Sequence, residues 1–381
     1  MSKIILAIDS FKGCLSSQEA ENCAAEEIRR LFPACQVCCL PVADGGEGIL
    51  EALVHATGGR FIYCSAHDPL MRPITARYGI AGDGQTAIIE MAQASGLPLL
   101  KESERNPMKT TTYGTGELIR HALHRGLRRF LIGIGGSATN DAGLGMLQAL
   151  GATLFTSEGI EFRQGGETMG TITSIDLSGM DKALKASTFT VACDVSNPFC
   201  GTNGAAPIFA PQKGATPEQT ICLENGMRHL TKIFFHATQT DISSLPGAGA
   251  AGGLGGALHA FLHARLVPGA ELLLDAVNFD SQLQQADLVI TGEGKADAQT
   301  LMGKLPARIL KHAASAGIPT LLIAGQTADK EVLLQAGFAD IVAVTPPDMP
   351  LDEAMRPETA RKNIRNAITR FFHETNHIKI I

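Results

Sequence analysis

The chain has 381 residues, of which 45% are hydrophobic and 18% charged, and its formal net charge at pH 7 is −6. This composition is typical of a soluble globular protein, and the length predicts two or three domains. Basic residues are scattered along the chain, which argues against a nucleic-acid-binding surface. No apolar run reaches the ~18 residues needed to cross a bilayer, so we expect no membrane partner.

The cysteines and the N-terminus indicate a cytoplasmic protein. Nine cysteines lack a disulfide-like spacing, and the short apolar run at the N-terminus predicts a first strand, not a signal peptide. Cys35 and Cys38 form a C-x-x-C pair, but no nearby Cys or His pair completes four zinc ligands. The alternation in CQVCCLPV favours a strand in which the thiols serve as small apolar side chains.

The first sixty residues predict a β-α-β-α arrangement. An apolar strand covers Lys3 to Ile8, and Ser16 with Glu19 forms a capping box that begins a helix. A second strand from Gln36 to Val42 leads into ADGGEG, after which a helix runs to Thr57. Each strand is followed by a polar loop that contains glycine, and ligands of open α/β sheets bind at such loops.

The middle of the chain follows a different pattern. ITARYGI and TAIIEMA flank residues 81–85 and predict a β-hairpin. Residues 131–145, LIGIGGSATNDAGLG, predict a buried strand, a glycine turn and a helix start, which together point backbone N–H groups at an anion. An ordinary turn capped by Ser137 or Thr139 is the alternative, but the dense polar cluster after the glycines favours a phosphate or carboxylate cradle.

The β-α alternation returns after residue 280. Apolar strands are predicted in DLVITGEG, PTLLIAG and ADIVAVTP, and a helix from about Asp352 to His373 closes the chain. Because the two ends of the chain share this β-α alternation, we predict a discontinuous, Rossmann-like α/β domain with a parallel sheet, made of residues 1–65 plus 285–381. An α/β domain with the hairpin, residues 66–284, is inserted into it, and we expect the active site in the cleft between the two.

A glycine-rich stretch at residues 246–258 contains the dinucleotide pattern G-x-G-x-x-G. No clear strand precedes it, and no acidic residue ends a second strand ~20 residues later. A glycine-rich helix entrance packed closely on another element, or a second anion loop, is therefore favoured over an NAD site.

Polar residues collect just after the predicted strands, and none of them is a histidine. They are Asp9, Ser10, Lys12, Asp44, Glu47, Ser137, Thr139, Asn140, Asp141, Asp194, Asn197, Glu293, Lys295 and Asp297. The lack of histidine argues against an acyl-transfer triad. Phosphoryl transfer, in contrast, uses backbone donors and Lys for phosphate oxygens, carboxylates for Mg²⁺ and an Asp for the hydroxyl proton. Neither a Walker A motif nor the protein-kinase signatures are present.

Six blocks of sequence follow one another over essentially the whole chain. They are DSFKG (9–13), PVADGGEG (41–48), GIGGSATNDAGLGMLQALG (133–151), ACDVSNPFCGTNGAAPIFAPQKGA (192–215), PGAGAAGGLGGAL (246–258) and VITGEGKADAQT (289–300). In this order they resemble the blocks of the bacterial class I glycerate kinases. The resemblance implies ATP- and Mg²⁺-dependent phosphorylation of D-glycerate, with the 2-hydroxyl favoured over the 3-hydroxyl as acceptor. Where the family has GEGR, this chain has Lys295, which keeps the charge but lacks the bidentate fork.

For this reaction we assign roles to the residues at the strand ends. Lys12 and Lys295 contact anionic oxygens, and Asp44 is a further catalytic residue. The remaining phosphate- and substrate-binding residues are Ser10, Gly135, Gly136, Ser137, Thr139, Asn140, Asn197 and Asp297. Asp44 and Asp297 are the candidate Mg²⁺ ligands.

The proton acceptor is sought among Asp194, Asp44 and Asp297. Asp194 is preferred because partial burial after an apolar strand would raise its pKa towards a useful range. Two other functions remain open: an NAD-dependent dehydrogenase of a small hydroxy acid that uses residues 247–252, and a non-catalytic sugar-acid binding protein. A homo-oligomer is compatible with either function and with the kinase.

Overall fold

The computed structural model describes residues 2–11, 13–40, 42, 48–157, 159 and 165–374. The strands are β1 (Lys3–Ile8), β2 (Gln36–Cys39), β3 (Arg60–His67), β4 (Pro73–Ile80), β5 (Thr86–Glu90), β6 (Arg129–Gly133), β7 (Thr153–Thr156), β8 (Ile172–Asp176), β9 (Thr188–Ala192), β10 (Arg265–Val267), β11 (Leu288–Ala296), β12 (Thr320–Thr327) and β13 (Asp340–Ala343).

The α-helices alternate with these strands. They are α1 (Ser17–Leu31), α2 (Ile49–Ala56), α3 (Ala92–Ser95), α4 (Tyr113–His124), α5 (Leu144–Ala149), α6 (Ala205–Phe209), α7 (Pro217–Thr238), α8 (Leu254–Leu262), α9 (Gly269–Ala276), α10 (Phe279–Gln282), α11 (Leu305–Ser315), α12 (Lys330–Gln335), α13 (Leu351–Ala354) and α14 (Pro357–Glu374). Within the described ranges, no helix is both long and apolar enough to cross a membrane.

The chain divides into two compact units. The terminal unit consists of Met1–Asp44 with Leu273–Ile381, and the central unit consists of Gly45–Leu272. These boundaries differ from the predicted ones, which followed residue 65 and preceded residue 285. Helix α2 and strand β3 belong to the central unit because α2 packs on β4 and β5, and β3 pairs with β4. The cleft expected between two domains stays a prediction.

The terminal unit is built on a five-stranded parallel sheet in the order β13-β12-β11-β1-β2. Counted along this unit alone, the strand order is 2-1-3-4-5, the doubly wound order of flavodoxin-like folds. The direction of winding reverses between β1 and β11, where Ile4 pairs with Leu288 and Ile8 with Gly292. The predicted parallel-sheet α/β architecture is confirmed.

Helices cover both faces of this sheet. On one face, Leu6 and Ile323 pack against Ile28 of α1 and Ile364 of α14. On the other face, Leu322 packs with residues of α11 and α12. The capping box of α1 is confirmed: Ser16 Oγ accepts a hydrogen bond from Glu19 N, and Glu19 Oε2 accepts one from Ser16 N.

Two element boundaries in the terminal unit differ from prediction. Strand β2 ends at Cys39 instead of Val42. The single helix predicted near the C-terminus is divided into α13 and α14. The division lies at Pro357, since proline has no N–H to donate and disfavours helical backbone at the residue before it.

The central unit contains a six-stranded mixed sheet in the order β10-β9-β6-β5-β4-β3. Strands β5, β6, β9 and β10 are parallel, whereas β4 pairs antiparallel with both β3 and β5. The predicted hairpin is therefore confirmed as β4–β5. Strands β7 and β8 form a separate antiparallel pair. The rings of Phe130 and Phe189 stack between β6 and β9, with their centroids 4.7 Å apart.

Candidate active site

A pocket lies at the carboxyl ends of the parallel strands in each unit. The terminal pocket has a volume of about 370 Å³ and is lined by residues that follow or end β1, β11, β12 and β13. The central pocket has a volume of about 250 Å³ and is lined by residues that follow β6 and β9. Ligands of open α/β sheets bind at such strand ends, most often where the winding reverses.

The terminal pocket carries two nearly buried carboxylates, Asp9 and Glu293. Asp9 directly follows β1, and its Oδ1 accepts a hydrogen bond from Ser10 N at 2.7 Å. Glu293 lies on β11 and accepts hydrogen bonds from Thr300 Oγ1 at 2.6 Å and Lys304 Nζ at 3.2 Å. Burial raises the pKa of Glu293 despite these donors. Both carboxylates lie at the strand ends where the sequence predicts polar residues, and neither was among the predicted site residues.

Ser10 and Lys295, both predicted to bind substrate, line this same pocket. Lys295 Nζ lies 3.3 Å from Asp297 Oδ2, and the lysine side chain is largely exposed. Asp297 also caps a short 3₁₀ helix, because its Oδ1 accepts a hydrogen bond from Gln299 N at 3.0 Å. The hydrogen bond from Lys295 lowers the pKa of Asp297, so this carboxylate is charged at neutral pH.

The glycine turn predicted after β6 forms one wall of the central pocket. Gly135, Gly136 and Ser137 line it, and Gly136 has a positive φ of 68°. Helix α5 begins at Leu144, where the sequence returns to helical spacing, so a polar loop separates the turn from the helix. Thr139 and Asn140 are fully buried and do not line the pocket, contrary to their predicted phosphate contacts.

Asp141 holds this loop together. Its carboxylate is fully buried and accepts hydrogen bonds from the backbone N–H groups of Thr112, Gly143 and Gly145 at 2.8–3.2 Å, and from Thr112 Oγ1 at 2.9 Å. Burial is the largest influence on Asp141 and raises its pKa, while these donors act in the opposite direction. The N-cap residue of α5 is Gly143, and the adjoining N–H groups of Gly143 and Gly145 donate to Asp141, so the turn is not capped by Ser137 or Thr139.

Lys213, which was not among the predicted site residues, is a lysine that lines the central pocket. Its side chain is 2% exposed, and Nζ donates hydrogen bonds to Ser137 Oγ at 2.6 Å and to Thr139 O at 2.7 Å. Burial lowers the pKa of Lys213 to about 7, while the negative charge of Asp141 acts in the opposite direction. Lys213 ends a 3₁₀ helix within a long loop, so no strand end marked it in the sequence.

Asp194 lines the central pocket, as its place after β9 predicts. Its side chain is exposed, however, so the partial burial expected for it is wrong. Asp194 Oδ1 accepts a hydrogen bond from Gly269 N at 2.9 Å. Asn197 does not line the pocket, and its Nδ2 donates to Asn203 O at 2.9 Å.

The glycine-rich stretch 246–258 forms the entrance to α8. Gly252 has a φ of +66°, and a Cβ at this position would overlap the carbonyl oxygen of Thr139. The carbonyl of Gly252 accepts a hydrogen bond from Ala142 N at 3.0 Å. The predicted close packing of a glycine-rich helix entrance on another element is confirmed, and that element is the loop after β6.

Lys12 and Asp44 lie outside the residues that the structure describes, as does Glu47. Their roles therefore stay predictions. Across the described ranges, no group of three or more His, Cys, Asp or Glu side chains is placed to hold a metal ion.

These sheets and pockets define an α/β enzyme with polar binding sites at its strand ends. The family model of the glycerate kinase family matches residues 4–376, and the chain belongs to that family. It is 46% identical to the glycerate kinase of Bacillus subtilis over 353 residues, with 92% of each chain covered. It is 45% identical to the glycerate 2-kinase of Escherichia coli K12 over 355 residues, with 93% of each covered.

A solved structure supports the same assignment. The crystal structure of a Salmonella typhimurium LT2 protein assigned as a glycerate kinase 2 matches with a TM-score of 0.88 and 43% identity. The match covers 98% of this chain and 99% of that one. The protein is therefore a kinase, and the dehydrogenase and binding-protein alternatives are not favoured.

Proposed function

We propose that the protein transfers the γ-phosphoryl group of ATP to a hydroxyl group of D-glycerate, forming phosphoglycerate and ADP. The observation that carries this proposal is the family match over residues 4–376, together with relatives of 45–46% identity that are named glycerate kinase and glycerate 2-kinase. We propose the 2-hydroxyl as the acceptor, which gives 2-phosphoglycerate; 3-phosphoglycerate is the alternative product.

The reaction requires groups that bind oxyanions and a group that accepts a proton. The hydroxyl oxygen of glycerate attacks the γ-phosphorus, the bond from that phosphorus to the β,γ-bridging oxygen breaks, and ADP leaves. In our proposal Gly135, Gly136 and Ser137 of the central pocket bind phosphate oxygens, because glycine allows a close approach of the backbone. Ser10 and Lys295 of the terminal pocket contact anionic or hydroxyl oxygens.

We propose Asp194 as the acceptor of the hydroxyl proton. Asp194 is exposed and lines the same pocket as the glycine turn. In phosphoryl transfer the catalytic Asp orients the hydroxyl and accepts its proton as the bond to phosphorus forms. An accessible carboxylate at the edge of the pocket suits that role.

We propose that a magnesium ion binds together with ATP. The described residues form no all-protein metal cage, and Mg²⁺ commonly binds through one or two carboxylates and the phosphates of its nucleotide. We propose Asp297 and Asp44 as those carboxylates. When bound, the ion neutralises charge on the phosphate oxygens. Asp297 is charged at neutral pH, which is the state a metal ligand requires.

The experiment is an assay of the purified protein with ATP, MgCl₂ and D-glycerate, with the product identified by phosphorus NMR. We expect ADP and 2-phosphoglycerate only when all three are present. Glycolate, lactate and L-glycerate serve as acceptor controls, and NAD⁺ without ATP tests for dehydrogenase activity. Formation of 3-phosphoglycerate would contradict the assigned acceptor hydroxyl, and no phosphoglycerate with any divalent metal would refute the kinase proposal.

A further inference from the structure

We infer that Lys213 is the cation that binds the oxyanion group of a ligand in the central pocket, and that it orients Ser137 to donate a hydrogen bond to the same group. The oxyanion is a phosphoryl group of ATP or the carboxylate of D-glycerate, which present the same charged oxygens. In naming these ligands, the inference rests on the proposed function.

The hydrogen bonds of Lys213 leave donors available to a ligand. An ammonium group has three N–H donors, and among the described residues two of them are engaged, by Ser137 Oγ and Thr139 O. Because Ser137 Oγ accepts from Lys213, its own hydroxyl hydrogen must point elsewhere. Lys213 and Ser137 both line the central pocket, so two donors are available there beside the backbone of Gly135 and Gly136.

The charge of Lys213 is poorly compensated by the protein itself. No described carboxylate forms an ion pair with it, and Asp141, the acidic group that acts on it, is already saturated by backbone and hydroxyl donors. Burying a lysine without a close counter-ion costs folding free energy. A methionine of similar length would avoid that cost, so stability does not explain a lysine here. An anionic ligand would supply the missing charge.

The surroundings of Lys213 predict how the site responds to pH. Burial holds the pKa of Lys213 near neutrality, at about 7, and the negative charge of Asp141 from the loop after β6 acts against burial. From the loop after β9, Asp194 and Cys193 line the same pocket, and burial raises the pKa of the Cys193 thiol, which keeps it neutral. Anion binding in the absence of nucleotide should therefore weaken as pH rises from 6 to 8.

The test compares Lys213→Met and Lys213→Arg with the matched control Lys232→Met, a change at an exposed lysine on α7 of the same unit. Binding of inorganic phosphate is measured by calorimetry at pH 6 and pH 8, and kcat and KM are measured for ATP and D-glycerate. We expect Lys213→Met to lower kcat/KM about 100-fold or more and to abolish phosphate binding. Lys232→Met should behave as wild type.

The two KM values distinguish the source of the oxyanion. A rise confined to the KM for D-glycerate assigns its carboxylate to Lys213, whereas a rise in the KM for ATP or a fall in kcat assigns a phosphoryl group. A folded Lys213→Met protein within about threefold of wild type in both kcat/KM and phosphate affinity would overturn the inference. If Lys213→Met does not fold, the wild-type affinity for sulfate, whose charge is the same at pH 6 and pH 8, is measured instead, and equal affinity at the two pH values would overturn the inference.

Phosphate binding does not require turnover, so the two proposals fail separately. A wild-type protein without kinase activity that still binds phosphate through Lys213 would refute only the proposed function. An active kinase in which Lys213→Met binds phosphate normally would refute only the role of Lys213.

Discussion

Asp194 is exposed and lines the central pocket. Its proposed role as proton acceptor therefore depends on its position in the pocket and not on burial. We expect Asp194→Asn to lower kcat by about 10²–10⁴-fold, since an amide cannot accept the hydroxyl proton. Steady-state kinetics measure the loss, with folding checked by circular dichroism. Asp176→Asn, at an exposed carboxylate on β8, is the matched control. A folded Asp194→Asn enzyme within about tenfold of wild type would exclude the role.

Asp141 lies in the loop after β6 and has a structural role, because its carboxylate accepts hydrogen bonds from several buried donors. In Asp141→Asn, an NH₂ group would face N–H donors in place of one carboxylate oxygen. We expect the free energy of unfolding to fall by about 2–4 kcal/mol, measured by urea denaturation. Asp176→Asn is again the control. An unchanged free energy of unfolding in Asp141→Asn would contradict this account of the loop.

The sequence predicted which residues meet at the strand ends, but not which of them reach the pockets. Parallel strands bring their carboxyl ends to one edge of a sheet, so Ser10, Lys295, Ser137 and Asp194 could be located from strand position alone. Whether a side chain reaches the pocket depends on packing from distant parts of the chain. Thr139 is buried because the glycine-rich entrance to α8 packs over it.

At the scale of elements, this close packing of the α8 entrance on the loop after β6 should be intolerant of added volume. In Gly252→Ala the new Cβ would meet the carbonyl oxygen of Thr139, at a residue that also requires a positive φ. We expect a loss of several kcal/mol in the free energy of unfolding, measured by urea denaturation.

The matched control for that variant is Gly126→Ala. Gly126 also has a positive φ, but a Cβ there would meet no atom within 4 Å. Gly126→Ala should lower the free energy of unfolding by only about 1 kcal/mol, the cost of placing an alanine at a positive φ. Equal losses in the two variants would show that backbone conformation, and not close packing, accounts for the glycine at 252.

The elements with periodic patterns were the ones that the sequence located well. Strand β1, helix α1 with its capping box and the β4–β5 hairpin all lie where apolar spacing and turn residues predicted them. Strands β3, β7, β8 and β10 were not predicted. Strand β10 has only three residues and is held by its pairing with β9, so its sequence alone carries little signal.

At the scale of the whole molecule, the features that could be predicted were those marked by repeated β-α units. The β-α alternation at both ends of the chain indicated one parallel sheet, and Ile4 of β1 does pair with Leu288 of β11. The position of the unit boundary could not be obtained in the same way. Helix α2 continues the alternation of the N-terminus, yet it packs on β4 and β5, and that contact is decided by tertiary structure.

The free energy of unfolding of the whole protein should depend on pH because Lys213 titrates differently in the folded and unfolded states. The folded pKa of this lysine, about 7, lies below its ordinary value of 10.5. Between these two values the unfolded chain binds a proton that the folded protein does not, so the free energy of unfolding rises with pH across this window. Below pH 7 both states are protonated and the cost of the buried charge is present in full. Lys213→Met removes this cost at every pH.

We therefore expect Lys213→Met to be more stable than wild type at pH 6–7, by on the order of a few kcal/mol, and the difference to shrink towards pH 10. Urea denaturation of both proteins at pH 6, 7, 8, 9 and 10 measures the difference, and the control Lys232→Met should show none. A difference that grows with pH would mean that the folded pKa of Lys213 lies above its ordinary value. That result would require a counter-ion close to this lysine, and its charge would then be explained by the protein itself without an anionic ligand.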